Sequence, residues 1–548
     1  MHADRVTPFC YSLGGWFGGI IMAKLTRRSV LAGAAVSTAA LSAEKVARAA
    51  GVRSKLVFIS DVHIGDNSPT VWYQQKYHEP YLLALLDHVT ANADSIQELI
   101  ILGDFVDFWT YPPERRPPTF AEIAAANPAV LGPKGALARA VRALKGRVTY
   151  IPGNHDMTIM QADLNGAGLR QIRLLNTDAY FPLGADQRIL CAHGHHGTMF
   201  NAPDATTRLA PIPIGHFATR SFCHQLSRTL KPGQTVADLA DQGIPNGLDL
   251  GGLIRSVNSS LIETVVNYAS SSTGLGMNET IVMPNGDTTT LEEVKHIYRS
   301  LWSRWQQQGA DDSTGQLIAI KAALADITDG DYLPWFAQRQ ALPTGAELVV
   351  YGHTHIAVRG LKDGVISYMN TGFDCASMPD MPRRHFTFAE VDIPTMQPQI
   401  MKVSDALGAY AVEPYDNAKL DEVVPSPAED FSTYVTIDNR AGAADLTLTS
   451  SDAKKGYFVV PPPARVPRGQ IARFWIQDKI GGAGTEGSAV YQGANGPVSL
   501  RFGCPTGMNG NIAAGADYRA RSGHDKTYGA LNDRPHFGHP LHVQFVTA

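Results

Sequence analysis

Seven residues in five short segments have the types and spacing to hold divalent metal. They are Asp61 and His63 in SDVH, Asp104 in GDFVDFW, Asn154 in GNHD, His193 in AHGHH, and His353 and His355 in GHTH. Carboxylate and neutral imidazole suit Mn, Fe or Zn. Asn154 adds a neutral oxygen. In D-x-H and H-x-H, alternate residues follow a strand end, and both reach one site once the backbone turns there. Any one segment is a weak signal, because Gly-Asp pairs occur in countless loops. Two more candidates lie in GNHD: His155, an imidazole of the kind that can pass a proton, and Asp156, which either orients His155 or is an ordinary loop carboxylate.

What precedes the segments gives them weight. KLVFIS runs into Asp61, ELIILG into Asp104, RVTYIPG into Asn154, RILCA into His193 and ELVVYG into His353. Each run is rich in Val, Ile, Leu or Tyr without strict polar alternation, as expected of a strand covered on both faces. Helix-like segments at Tyr81–Val89 and Gly135–Leu144 alternate with the early runs. That order predicts an α/β architecture, whose strands gather their carboxyl-end loops into one site.

Taken together, the five motifs resemble the calcineurin-like metallophosphoesterases over roughly residues 54–400. The resemblance implies a two-sheet sandwich flanked by helices and two divalent transition metal ions. Asp61, His63 and His355 would hold one ion, and Asn154, His193 and His353 the other. Asp104 would bridge both. It also implies a phosphate-ester substrate attacked by a hydroxide between the metals, with His155 protonating the leaving oxygen. His195 and His196 are left as supporting or substrate-side residues. Asp107 either buttresses a ligand or is a turn residue. LGDFVDFW also looks like the UDP-diacylglucosamine hydrolases of lipid A synthesis. GNHD departs from that group, which has Arg in place of the histidine, so its substrate is not carried over. Phe105, Phe108 and Trp109 either fill the core or favour an amphipathic phosphodiester.

Residues 51–410 are expected to form this domain, interrupted over 197–345 by a mostly helical insertion, either a cap over the site or a packing subdomain. Within it, ETIVMPNGDTTTL predicts a hairpin turning at Asn285-Gly286, and Thr290 with Glu293 a capping box. Residues 411–430 are polar and proline-bearing, as a linker would be. Residues 431–548 alternate strand-like runs with Gly/Pro/Asn turns, predicting an all-β sandwich. That module has a limited resemblance, through GTEGS, to aegerolysin-type sandwiches. It is either an accessory domain or, with Trp475 and Tyr491 exposed, a partner for membrane lipid.

Of 548 residues, 44% are hydrophobic and the net charge is −4, so a core is affordable and no nucleic-acid footprint is visible. Arg27 and Arg28, an apolar stretch from Val30 to Leu41, and Ala47 with Ala49 resemble a twin-arginine signal. Residues 1–50 are therefore set apart, and a periplasmic or secreted protein is expected. Its remaining cysteines, Cys191, Cys223, Cys375 and Cys504, lack CxxC spacing and leave room for one disulfide. The second functional expectation is a secreted lipid- or membrane-binding protein, toxin-like or adhesive, that uses the metal-site domain as a scaffold.

Overall fold

The structure, a computed structural model, describes residues 53–238, 260–327, 330–373, 386–425, 430–479, 482–507, 510–523 and 525–547. The signal-like segment with Arg27 and Arg28, and Cys375, lie outside the described residues.

Five strands precede the insertion, β1 (Lys55–Ile59), β2 (Ile96–Leu102), β3 (Val148–Ile151), β4 (Arg173–Leu174) and β5 (Ile189–Cys191), and all but β4 lead into a polar segment. The insertion contributes a short hairpin, β6 (Ile281–Val282) and β7 (Thr288–Thr289). After it come β8 (Leu348–Tyr351), β9 (Val358–Leu361), β10 (Ser367–Asn370) and β11 (Phe386–Asp392). The strands β12 (Gln397–Ala406), β13 (Ala409–Pro414) and β14 (Lys419–Asp421) follow. Seven of these form a sheet ordered β13-β12-β11-β1-β2-β3-β4, and five form a second ordered β14-β9-β10-β8-β5. Strands β1 to β4 run parallel, as do β5, β8 and β10.

Burial on both faces explains the unbroken apolar runs. Along β1, Leu56 and Phe58 face the second sheet, where Val350 and Met369 wait, while Val57 and Ile59 pack under helices. Along β2, Ile100 and Leu102 face the second sheet and Leu99 and Ile101 the helices. Those helices, Gln75–Ala91 and Ala136–Ala143, supply Leu82, Leu85, Leu137 and Val141. Strand β8 is sided in the same way. Leu348 and Val350 fill the space between sheets, and Val349 and Tyr351 pack outward against the insertion. A period of two puts successive side chains on opposite faces, and here neither face meets water.

The insertion is helical, with Ile214–Thr229, Leu261–Thr273, Asp312–Ile327 and Leu333–Ala341 among its helices. Its hairpin turns at Asn285-Gly286, with Gly286 at φ 87°, and the Asn285 side chain accepts a bond from the Asp287 amide at 3.0 Å. Thr290 caps the next helix by accepting from the Glu293 amide at 3.2 Å. The expected return contact does not form there. Glu293 instead accepts from the Thr289 hydroxyl and from Arg208.

Part of the stretch expected to be a linker pairs with the two sheets. Ala409–Pro414 closes the edge of the first sheet against β12, and Lys419–Asp421 pairs with β9 at the edge of the second. Beyond them, Thr433–Val546 forms two further five-stranded sheets, largely antiparallel. Trp475 and Tyr491 are fully buried between them, so neither is available to a membrane. Trp475 instead meets Trp335 of the insertion edge-on at 5.5 Å, and Trp335 Nε1 donates to Gln477 Oε1 at 2.7 Å. Insertion and sandwich thus share one apolar core. Cys191, Cys223 and Cys504 are buried free thiols, and no disulfide joins the described residues.

Candidate metal centre

Tight turns at the strand ends do the positioning. Asp61, His63, Asp104, His353 and His355 all have left-handed backbones, with φ between 50° and 78°. Such a conformation costs a non-glycine residue roughly 1–2 kcal/mol. It lets Asp61 and His63 share a direction while Val62 between them stays in the core. Glycines make the close approaches. A Cβ on Gly153 would lie 2.8 Å from Asp104 Cγ, and one on Gly352 would lie 2.7 Å from Asp61 Oδ2. Both distances are shorter than side chains tolerate, which is why GN and GH precede ligand candidates.

The seven predicted residues converge. Asp61, His63 and His355 offer ligand atoms within 4.8 Å of one another, and so do Asp104, His193 and His353. Asp104 Oδ2 lies 3.7 Å from His63 Nε2 and 3.2 Å from His193 Nε2, between the two groups. Asn154 Oδ1 is 3.0 Å from His193 Nε2. Asp61, His63, Asp104, Asn154 and His193 are buried, while His353 and His355 are half-buried.

The donor set fits metal. His63 Nδ1 faces Asp107 Oδ2 at 2.9 Å, and His193 Nδ1 faces the Leu102 carbonyl at 2.6 Å. An N–H on each outer nitrogen would leave each Nε2 lone pair free to face a metal. The Nε2 atoms of His63 and His355 lie only 3.1 Å apart. A cation between them would be held by both rings and by the buried carboxylates beside them. Burial holds His355 well below the usual imidazole range and His353 down to about 3, which favours the neutral rings that metal binding requires. Burial resists ionisation of Asp104, but His193, His155 and His63 bring its carboxyl well below the usual range. Burial raises Asp61, against the pull of His193.

His155 lies beside this set rather than in it. Its ring stacks on Trp109 at 4.3 Å and meets Trp72 at 4.9 Å. Its Nδ1 sits 3.1 Å from Asp107 Oδ2, the same oxygen that holds His63. Burial opposes its charge, but Asp107 and Asp104 raise its pKa overall. Asp107 Oδ1 accepts from the Trp109 and Thr110 amides, so this carboxylate both shapes the turn and buttresses two histidines. Asp107, His63 and His155 also form a compact group, but Oδ2 is already engaged by both rings.

Asp156 does not orient His155. Its carboxylate accepts from the Phe105 amide at 2.9 Å, the Gly153 amide at 2.6 Å and the Tyr150 hydroxyl. It ties the GNHD loop to the GDF loop. Phe105, Phe108 and Trp109 are buried. His195 is buried with its ring 5.2 Å from His193. His196 is exposed and borders a cavity of about 250 Å³ with Asp178, Arg339 and Phe336.

Sequence reasoning missed Trp72, whose loop carries no motif, and three residues of the insertion. Thr198 Oγ1 lies 3.4 Å from His353 Nε2. Asn154 Nδ2 donates to Asn201 Oδ1 at 3.4 Å, and Asn201 Nδ2 donates to Asp326 Oδ1 at 2.7 Å.

Residues 54–230 match the family model of the calcineurin-like phosphoesterases. The match takes in Asp61, His63, Asp104, Asn154, His155 and His193, while His353 and His355 fall beyond it. No curated protein matches the chain. The family acts on phosphate esters with the help of metal, and the Asp/His clusters are those such a hydrolase needs.

Proposed function

We propose that the protein is a dinuclear phosphoesterase, exported, with a preference for phosphodiesters. The observation that carries this is Asp104 Oδ2, set between His63 Nε2 and His193 Nε2 at 3.7 and 3.2 Å. One ion would be held by Asp61, His63 and His355, and the other by Asn154, His193 and His353, with Asp104 common to both. Mn, Fe or Zn suits these donors, and when bound such ions offset charge on phosphoryl oxygens and make water a better nucleophile.

The chain's own residues supply the rest. Asp107 engages His155 Nδ1, which leaves Nε2 to give a proton to the leaving oxygen. Trp109 and Trp72 fix that ring between them and keep water from its faces. A proton donor matters most for a poor leaving group such as an alkoxide, which supports an alkyl rather than an aryl phosphate ester. The twin-arginine pattern at Arg27 and Arg28 supports export.

The test is hydrolysis of p-nitrophenyl phosphate and of its bis ester after reconstitution with Mn, Fe or Zn. Metal-dependent turnover, faster on the bis ester, is expected. Turnover that survives complete chelation would overturn the proposal, and faster turnover of the monoester would overturn the diester preference.

A further inference from the structure

The insertion reaches the centre through hydrogen bonds with a fixed direction. Asp326, at the end of the helix Asp312–Ile327, gathers three groups: the Asn201 side-chain amide at 2.7 Å, the Phe200 backbone amide, and the Thr198 hydroxyl. Burial raises the Asp326 carboxyl to about 7, against the pull of these three groups. The Asn201 NH₂ donates to Asp326 Oδ1, which turns the Asn201 oxygen away. That oxygen accepts from Asn154 Nδ2 at 3.4 Å, so Asn154 in turn presents its own oxygen to the site, 3.0 Å from His193 Nε2. An amide binds a hard cation through oxygen and not through NH₂, so the direction of this chain decides whether Asn154 is a ligand at all.

The second branch is shorter. Thr198, whose hydroxyl reaches Asp326 and the His195 carbonyl, sits 3.4 Å from His353 Nε2. Asn154 and His353 both belong to the second proposed ion. The branches meet the first proposed ion's residues at one point, where the His353 backbone amide donates to Asp61 at 2.9 Å. Space for Asn201 is kept by Gly215, where a Cβ would come within 2.8 Å of Phe200 O and closer still to Asn201 Oδ1.

We propose that Asp326 is a positioning residue for the second metal, setting the amide of Asn154 through Asn201 and the ring of His353 through Thr198. The insertion is then part of the metal centre. This rests on the two-ion reading above.

Equilibrium dialysis of the full chain against graded Mn²⁺, followed by elemental analysis, tests it. The variants are Asp326→Asn, which keeps size but adds a donor, and Asn201→Ala, which keeps Asp326. Thermal unfolding of the metal-free proteins is measured alongside. The wild type should bind about two Mn²⁺ per chain. Both variants should lose about 10–100-fold in affinity at one site and keep the other unchanged. Wild-type binding at both sites in Asn201→Ala, or in a folded Asp326→Asn, overturns the proposal, whatever happens to the melting temperature. If Asp326→Asn does not fold, Asn201→Ala decides. A wild type that binds no Mn²⁺ overturns the two-ion reading instead.

Discussion

Asp107 Oδ2 lies 3.1 Å from His155 Nδ1 and, from its other side, 2.9 Å from His63 Nδ1. One oxygen thus joins a histidine proposed to hold metal to the histidine proposed to protonate the leaving group. An N–H on each Nδ1 would turn each Nε2 toward the site. Asp107→Asn leaves one oxygen for two duties, the turn at Trp109 and the two rings. We expect kcat/KM to fall about 10–100-fold or more, with weaker metal binding. Steady-state kinetics at saturating metal check this, and a wild-type value would contradict it.

Asp156 has a different task. Its carboxylate is buried and satisfies two backbone amides and the Tyr150 hydroxyl. Asp156→Ala strands these donors, at a cost of about 1–3 kcal/mol each where water cannot replace the lost partner. Urea unfolding of the metal-free protein should show a loss of at least roughly 2 kcal/mol. An unchanged midpoint would mean that the loop does not depend on this contact.

The ligand candidates were legible because each stands where a buried strand ends, and such ends leave local marks: an apolar run, then glycine, then Asp, Asn or His. Gly153 and Gly352 are required by close approach, so the motif and the geometry share one cause. Asp107 was ambiguous because a turn aspartate and a buttressing aspartate look alike in sequence, and here it is both. Asp156 was misread because proximity to His155 in the chain does not set where its carboxylate points. Asn201 and Asp326 left no mark, since their partnership spans 125 residues and exists only after the insertion packs. Residues 411–430 read as a linker because the edge strands that fall there have mostly exposed side chains and lack apolar alternation.

Trp335 joins the insertion to the C-terminal sheets through Trp475 and Gln477. Truncating a buried tryptophan costs roughly 3–5 kcal/mol. Trp335→Ala should therefore lower the melting temperature of the whole protein in calorimetry. If the two parts were independent, only a separate transition would move.

Lys321 is buried with its ammonium 5.0 Å from the Tyr332 ring and 5.4 Å from the Trp335 ring, and it feels Asp478 and Asp430. Burial brings its pKa down to about 8, against the pull of both aspartates. The charged form is thus disfavoured on folding. Lys321 costs most below about pH 8, and its contribution to stability improves as pH rises from there toward the ordinary lysine value of 10.5. Lys321→Met should be more stable than wild type at pH 7 by on the order of 1 kcal/mol or more. The advantage should shrink steadily by pH 10 in denaturant titrations. A variant less stable at pH 7 would show that the cation–π contacts dominate.

The central claim is a two-metal hydrolytic centre built around Asp104. Elemental analysis of the purified protein beside its Asp104→Ala variant, with hydrolysis assayed on the same samples, tests it most directly. About two transition metal ions per chain are expected in the wild type, and Asp104→Ala should lose metal and hydrolysis together. Full hydrolytic activity in Asp104→Ala would contradict the account.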